Sequence, residues 1–171
     1  MSGQPRAVND APASGHMMRD SALGLVPETL APYIDYNRAI WLQGPLSHAE
    51  LEVARLRNAR HVNCVYCKNV RYDLAVADGL TEAKVAMIDA RYANSELNSR
   101  EKLIIAYTDQ YLSDPGALSD ELKASMLQHF SCEEIVHLSL AIAHFNGFSR
   151  CAVALGGMPD ELPVMEVSLP D

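Results

Sequence analysis

Positive charge is scarce in this chain. Its 171 residues carry 14 Lys and Arg against 22 Asp and Glu, a formal net charge of −8 with a pI of about 5.2. Nucleic acids and anionic membrane surfaces are recognised by clustered Lys and Arg, so neither is an expected partner. Long apolar runs are missing as well. The richest stretch, Leu138 to Ala143, is closed by His137 and His144, far short of the roughly 18 consecutive apolar residues of a membrane span. The first residues hold no apolar core of a secretory signal, and the expected address is cytoplasmic. Phe and Trp are rare at three and one, and Gly and Pro modest at nine each. Four cysteines are too few for a disulfide-stapled scaffold of this length.

Ala, Leu, Met and Glu fill the space instead, which favours helix over strand. With 49% apolar residues there is enough for one core and one domain. Residues 1–22, with Gln4, Pro5, Asn9, Pro12, Ser14 and Gly15, show no apolar periodicity and read as a flexible arm ordered by a partner subunit if at all. Pro27 and Pro32 mark two turns before a short apolar segment, Tyr36 to Gln43, that stops at Gly44-Pro45. Ser47-His48-Ala49-Glu50 is a capping box opening a helix to about Arg60. Asn63 is placed to cap a helix over 64–78 that ends at Gly79, a natural left-handed residue. Thr81, Asn98, Ser119 and Ser131 open four more helices, the last running toward Leu155. Period-2 alternation is absent. The expected fold class is all-α, a single helical domain over residues 23–160 with about seven or eight helices, and an extended tail over 161–171.

The chemistry concentrates at Cys64-Val65-Tyr66-Cys67. A cysteine pair three apart in a first helical turn lies on one face, can close a disulfide, and gains thiolate character from the aligned peptide dipoles. Arg71, one turn past Cys67, is expected to add a permanent cation on that face. Structural zinc needs four ligands, usually as two spaced pairs. Cys132 and Cys151 form no second pair and His61 alone does not complete a shell, so no metal is expected. A thioredoxin-type reading requires a strand before the pair, and here helices flank it. Two inert buried thiols remain the bland alternative.

The stretch from Glu50 to Thr81 resembles the core motif of the alkylhydroperoxidase D-like branch of the carboxymuconolactone decarboxylase superfamily. The resemblance rests on a Glu twelve positions before the first cysteine, an Arg-rich helix, Asn-Cys-x-Tyr-Cys and a closing Gly-Leu-Thr. It implies an all-helical, homo-oligomeric protein (dimer, trimer or hexamer) without organic cofactor. The implied activity reduces hydroperoxides or exchanges disulfides through the Cys pair, with an external thiol protein or small thiol as reductant. Carried over by position, Glu52, Cys64 and Cys67 match, with Cys67 attacking and Cys64 resolving and facing the reductant. The helix dipole alone would favour Cys64. The position of the family's proton-relaying His is Arg71 here, and Arg cannot shuttle protons near neutral pH. Weak peroxidase activity is therefore expected. A non-redox lactone decarboxylase and a non-catalytic redox sensor are the competing functions.

The neighbouring candidates each carry a plainer alternative. Glu52 either reaches the cysteines, if the chain turns before Asn63, or is a solvated partner of Arg55 on its own helix. Tyr66 reads as a packing residue whose hydroxyl can lend a hydrogen bond. His61, three residues before Cys64, is the nearest substitute relay, and more simply an exposed helix-end histidine. Glu134-Ile135-Val136-His137 spells the Glu-x-x-His of di-iron bundles, but those need the motif twice, and a coincidence of helical spacing is the better reading.

Overall fold

The computed structural model describes residues 4–170; residues 1–3 of the expected arm and residue 171 of the tail lie outside it. Among the described residues are eight α-helices: α1 (Pro27–Leu42), α2 (His48–Val62), α3 (Val65–Asn69), α4 (Asp73–Ala77), α5 (Glu82–Met87), α6 (Ser99–Ser113), α7 (Asp120–His129) and α8 (Cys132–Leu155). The all-α reading stands, with one small addition. Two three-residue strands, β1 (Val70–Tyr72) and β2 (Met165–Val167), pair in parallel, Val70 opposite Met165.

The helix starts follow local chemistry. Ser47, Asn98 and Ser131 each form a full capping box with Glu50, Glu101 and Glu134, while Thr81 and Ser119 cap α5 and α7 through their hydroxyls. Two expectations are corrected. The turns at Pro27 and Pro32 are one continuous helix, α1. Pro27 sits at its first position, where a missing N–H costs nothing. The bond Pro32 cannot make would have gone to the carbonyl of Glu28, on the exposed side of the first turn. The helix expected over 64–78 is split by β1, because the tail strand supplies a pairing partner 95 residues downstream. All three β1 residues are buried.

The centre of the molecule is α2, which packs against α8 on one side and α6 on the other. Trp41, Leu51, Leu56, Ile104, Ile105, Leu138 and Ile142 form the core between them. Helix α8 is long and apolar enough to cross a membrane by length and composition; here its Leu138, Ala141, Ile142 and Phe145 face is packed into the core. The α1–α2 corner is clamped by His137, which donates from Nε2 to the Ile40 carbonyl at 2.8 Å and accepts from the Leu46 N–H at 3.4 Å. Gly44 lies flat against that ring: a Cβ there would fall 1.8 to 2.3 Å from its atoms. Gly44→Ala is therefore expected to cost about 1–3 kcal/mol by overpacking, read as a lower urea midpoint with unchanged m-value.

Candidate active site

The sequence turns sharply where α2 ends. Asn63 takes the left-handed conformation (φ 57°, ψ 40°) as the C-cap of α2, not the N-cap of the next helix. Asn tolerates this region because its short polar side chain can bond locally, and here its Oδ1 accepts from Lys68 Nζ at 2.7 Å. Cys64 then becomes the cap of α3, its sulfur accepting from the Cys67 N–H at 3.2 Å. Cys64 and Cys67 are joined as a disulfide with Cα atoms 5.2 Å apart. Cys64 is wholly enclosed and Cys67 is 9% exposed. The cysteine expected to face a reductant is thus the one closed to solvent. With only five residues in α3, little dipole is available to favour it.

Beneath the pair lies a buried ion pair. Glu52 and Arg55, both on α2, form a fork with Nε and Nη2 each 2.6 Å from a carboxylate oxygen. The same guanidinium donates to the carbonyl of Cys67 at 2.8 Å and to that of Val70 at 2.6 Å. Burial disfavours the Arg55 charge, but Glu52 more than offsets this and holds the guanidinium above its ordinary pKa. Glu52 therefore reaches the cysteine loop through Arg55, and it is completely buried, not solvated. The sequence alternatives of site partner and ion-pair partner coincide in one arrangement.

A second polar chain arrives from α8. The Ser149 hydroxyl donates to the Cys67 sulfur at 3.4 Å. Ser149 Oγ accepts from Asn58 Nδ2 at 3.1 Å, and Asn58 Oδ1 accepts from Asn146 Nδ2 at 2.8 Å. Ser149 and Asn58 are both buried, so this chain fixes the orientation of the hydroxyl on the sulfur. Beside it opens a cavity of about 310 Å³, whose lining includes Cys67, Arg55, Ser149, Tyr33, Phe148 and, from the N-terminal segment, residues 17, 18 and 20–23. Cys64 is not part of that lining. Cys67 is the sulfur a small molecule would meet.

Arg71 does not share a helical face with Cys67, because α3 stops at Asn69 and Arg71 belongs to β1. Its guanidinium pairs with Glu82 at 2.7 Å and donates to the carbonyls of Lys68 and Val70. Tyr66 is 37% exposed on the cavity lining. His61 is exposed at the end of α2 and outside that lining. Glu134 and His137 do not converge: Glu134 binds Arg100 at 2.7 Å while His137 holds the α1–α2 corner. Among the described residues no three His, Cys, Asp or Glu side chains are grouped to hold a metal ion. The sequence reading missed Ser149 and Asn58 and gave Arg55 only a surface role. Ser149 is 82 positions from Cys67, and nothing in its local sequence marks it.

Solved structures share this arrangement of helices. A protein of unknown function from Agrobacterium tumefaciens, described as a candidate antioxidant defence protein AhpD, superposes with a TM-score of 0.66. It is 23% identical, over 77% of this chain and 90% of the other. An uncharacterized peroxidase-related protein from Ralstonia eutropha with an alkylhydroperoxidase AhpD core gives a TM-score of 0.69. It is 16% identical, over 82% and 74% of the two chains. The chain has the AhpD-like fold. Within that fold, the Cys64–Cys67 loop follows the Arg-rich helix α2, as the motif resemblance implied. Two uncharacterized proteins of Mycobacterium tuberculosis, from strains CDC 1551 and H37Rv, are each 30% identical over 105 residues, or 61% of this chain. The match spans 37% of each relative's length. No family model matches the chain.

Proposed function

We propose that this AhpD-like protein is a thiol oxidoreductase that reduces hydroperoxides at Cys67 and recycles through the Cys64–Cys67 disulfide. The observation that carries this reading is the position of Cys67: a disulfide sulfur facing a cavity, with a buried Ser149 hydroxyl aimed at it. The Cys67 thiolate attacks the outer oxygen of the hydroperoxide; an S–O bond forms, the O–O bond breaks, and the alkoxide takes a proton to leave as the alcohol. Cys67 is then a sulfenic acid. Cys64 attacks that sulfur, the S–S bond forms, and hydroxide leaves as water with the proton of the Cys64 thiol. An external dithiol returns two electrons and two protons by exchange. Its first attack falls on Cys67 through the cavity, with Cys64 as the leaving thiolate, because Cys64 is closed to solvent.

Ser149 stabilises the Cys67 thiolate by its hydrogen bond, and Arg55 holds the loop carbonyl that orients it. Arg71 serves the β1–α5 junction through Glu82. Ser149→Ala is accordingly expected to raise the Cys67 pKa, seen as an alkaline shift of the alkylation rate against pH in the reduced protein. Arg71→Gln leaves that profile in place. Assembly into a homo-oligomer belongs to the same reading, supported by Val136 and Leu140, 58% and 47% exposed on α8. The deciding measurement is intact mass after one equivalent of an organic hydroperoxide on the reduced protein. Loss of two hydrogens, reversed by a dithiol and repeated catalytically, is the expected result. A reduced protein left unchanged by the peroxide overturns the proposal.

A further inference from the structure

The cavity beside Cys67 is lined by more than a thiol reaction requires. Its walls include Phe145, Phe148, Leu155 and Tyr33 from the helices, and Met17 and Met18 from the N-terminal segment. Tyr33 stacks on Phe148 at 5.1 Å and on His144 at 4.5 Å, which makes one wall flat and aromatic. Met17, 49% exposed, and Met18 add flexible, polarizable side chains to the lining.

Two charged side chains line this space, Arg55 and Asp20, and each is held by partners within the chain. Burial pushes the Tyr33 and Tyr72 hydroxyls up and pushes His144 down to about 4, so all three are uncharged at neutral pH. Arg55 is neutralised by Glu52. The Asp20 carboxylate is taken up by the turn before it, accepting from Ser14 N and Oγ and from Gly15 N at 2.6 to 2.8 Å. A charged ligand group entering here would lose its hydration: no unpaired cation lines the space to meet an anion, and the one lining carboxylate, Asp20, already accepts three hydrogen bonds from Ser14 and Gly15.

The N-terminal segment is attached to the helical body beside the cavity. The Arg6 N–H donates to the Leu155 carbonyl at 2.7 Å, and its guanidinium to that of Ala154. Asn9 Nδ2 bridges the carbonyls of Arg19 and Ser21 at 2.9 and 3.2 Å, holding residues 17–23 in a compact turn.

From these observations we propose that the cavity is a binding site for an uncharged organic molecule with an apolar, ring-sized body, and that Met17 and Met18 form one wall of it. The volume of 310 Å³ corresponds to about ten waters at about 30 Å³ each, room for one aromatic ring with a short chain. The inference rests on the thiol-oxidoreductase reading only in that this molecule would be the carbon body of the reacting hydroperoxide.

The test uses the full chain in its disulfide form and three probes with one skeleton: 4-phenyl-1-butanol, 4-phenylbutyrate and 4-phenylbutylammonium, titrated calorimetrically. The alcohol is expected to bind at one site, and both ions roughly tenfold more weakly or worse. Replacing Met17 and Met18 together by Ser is expected to weaken alcohol binding about tenfold, with the far-UV circular dichroism unchanged because neither residue lies in a helix. As a second measurement, the alcohol should slow maleimide alkylation of Cys67 in the reduced wild type. Equal or tighter binding of either ion, or no binding of the alcohol, overturns the proposal; unchanged affinity in the folded methionine variant overturns the wall. The probes carry no O–O bond, so a protein that binds the alcohol but ignores hydroperoxide would sink the oxidoreductase reading and leave this site standing.

Discussion

Cys67→Ser is expected to abolish hydroperoxide-dependent turnover completely, whereas Cys64→Ser should still consume one equivalent of peroxide and stop. In the second variant the sulfenic acid on Cys67 has no resolving thiol beside it, and it persists until an external thiol or further peroxide reaches it. A sulfenic-acid trap should label Cys64→Ser and leave Cys67→Ser unlabelled. The asymmetry follows from enclosure: Cys67 lines the cavity and Cys64 does not. Labelling of Cys64 in the Cys67→Ser protein would reverse the order of attack and with it the role of Ser149.

Arg55→Met is expected to cost about 3–5 kcal/mol of stability, the range for removing one partner of a buried ion pair. It would strand the Glu52 carboxylate, which has no solvent exposure, and leave the carbonyls of Cys67 and Val70 without their donor. Adding Glu52→Leu to Arg55→Met should recover much of the loss, because an apolar pair of similar volume carries no stranded charge. Urea unfolding of the single and double variants reads both effects. If the single variant matches wild type, the pair is not the support of the cysteine loop that its geometry indicates.

The helix boundaries were legible because capping is local. A Ser or Asn with Glu three residues later satisfies backbone donors whatever the rest of the chain does, and α2, α6 and α8 begin where those signals stand. The cysteine pair was legible for the same reason, since three residues within one turn cannot be far apart. Pro32 misled by the opposite route: its missing hydrogen bond falls on the solvent side of α1, a fact about orientation in the fold and not about the residue.

Local sequence determined the all-α class, the starts of α2, α5, α6, α7 and α8 and the disulfide-forming pair, because each depends on contacts within about one turn. Tertiary structure alone decided the rest. Strand β1 exists because β2 arrives beside it, and that pairing takes Arg71 off the cysteine face and gives it to Glu82. Glu52 and Arg55 are buried because α2 is enclosed by α6 and α8, which turns an ordinary i,i+3 surface pair into the charged floor of the site. Ser149 reaches Cys67 only because α8 crosses α2 at that height. Burial and long-range pairing are sums over the whole chain, and no window of residues around Cys67 contains them.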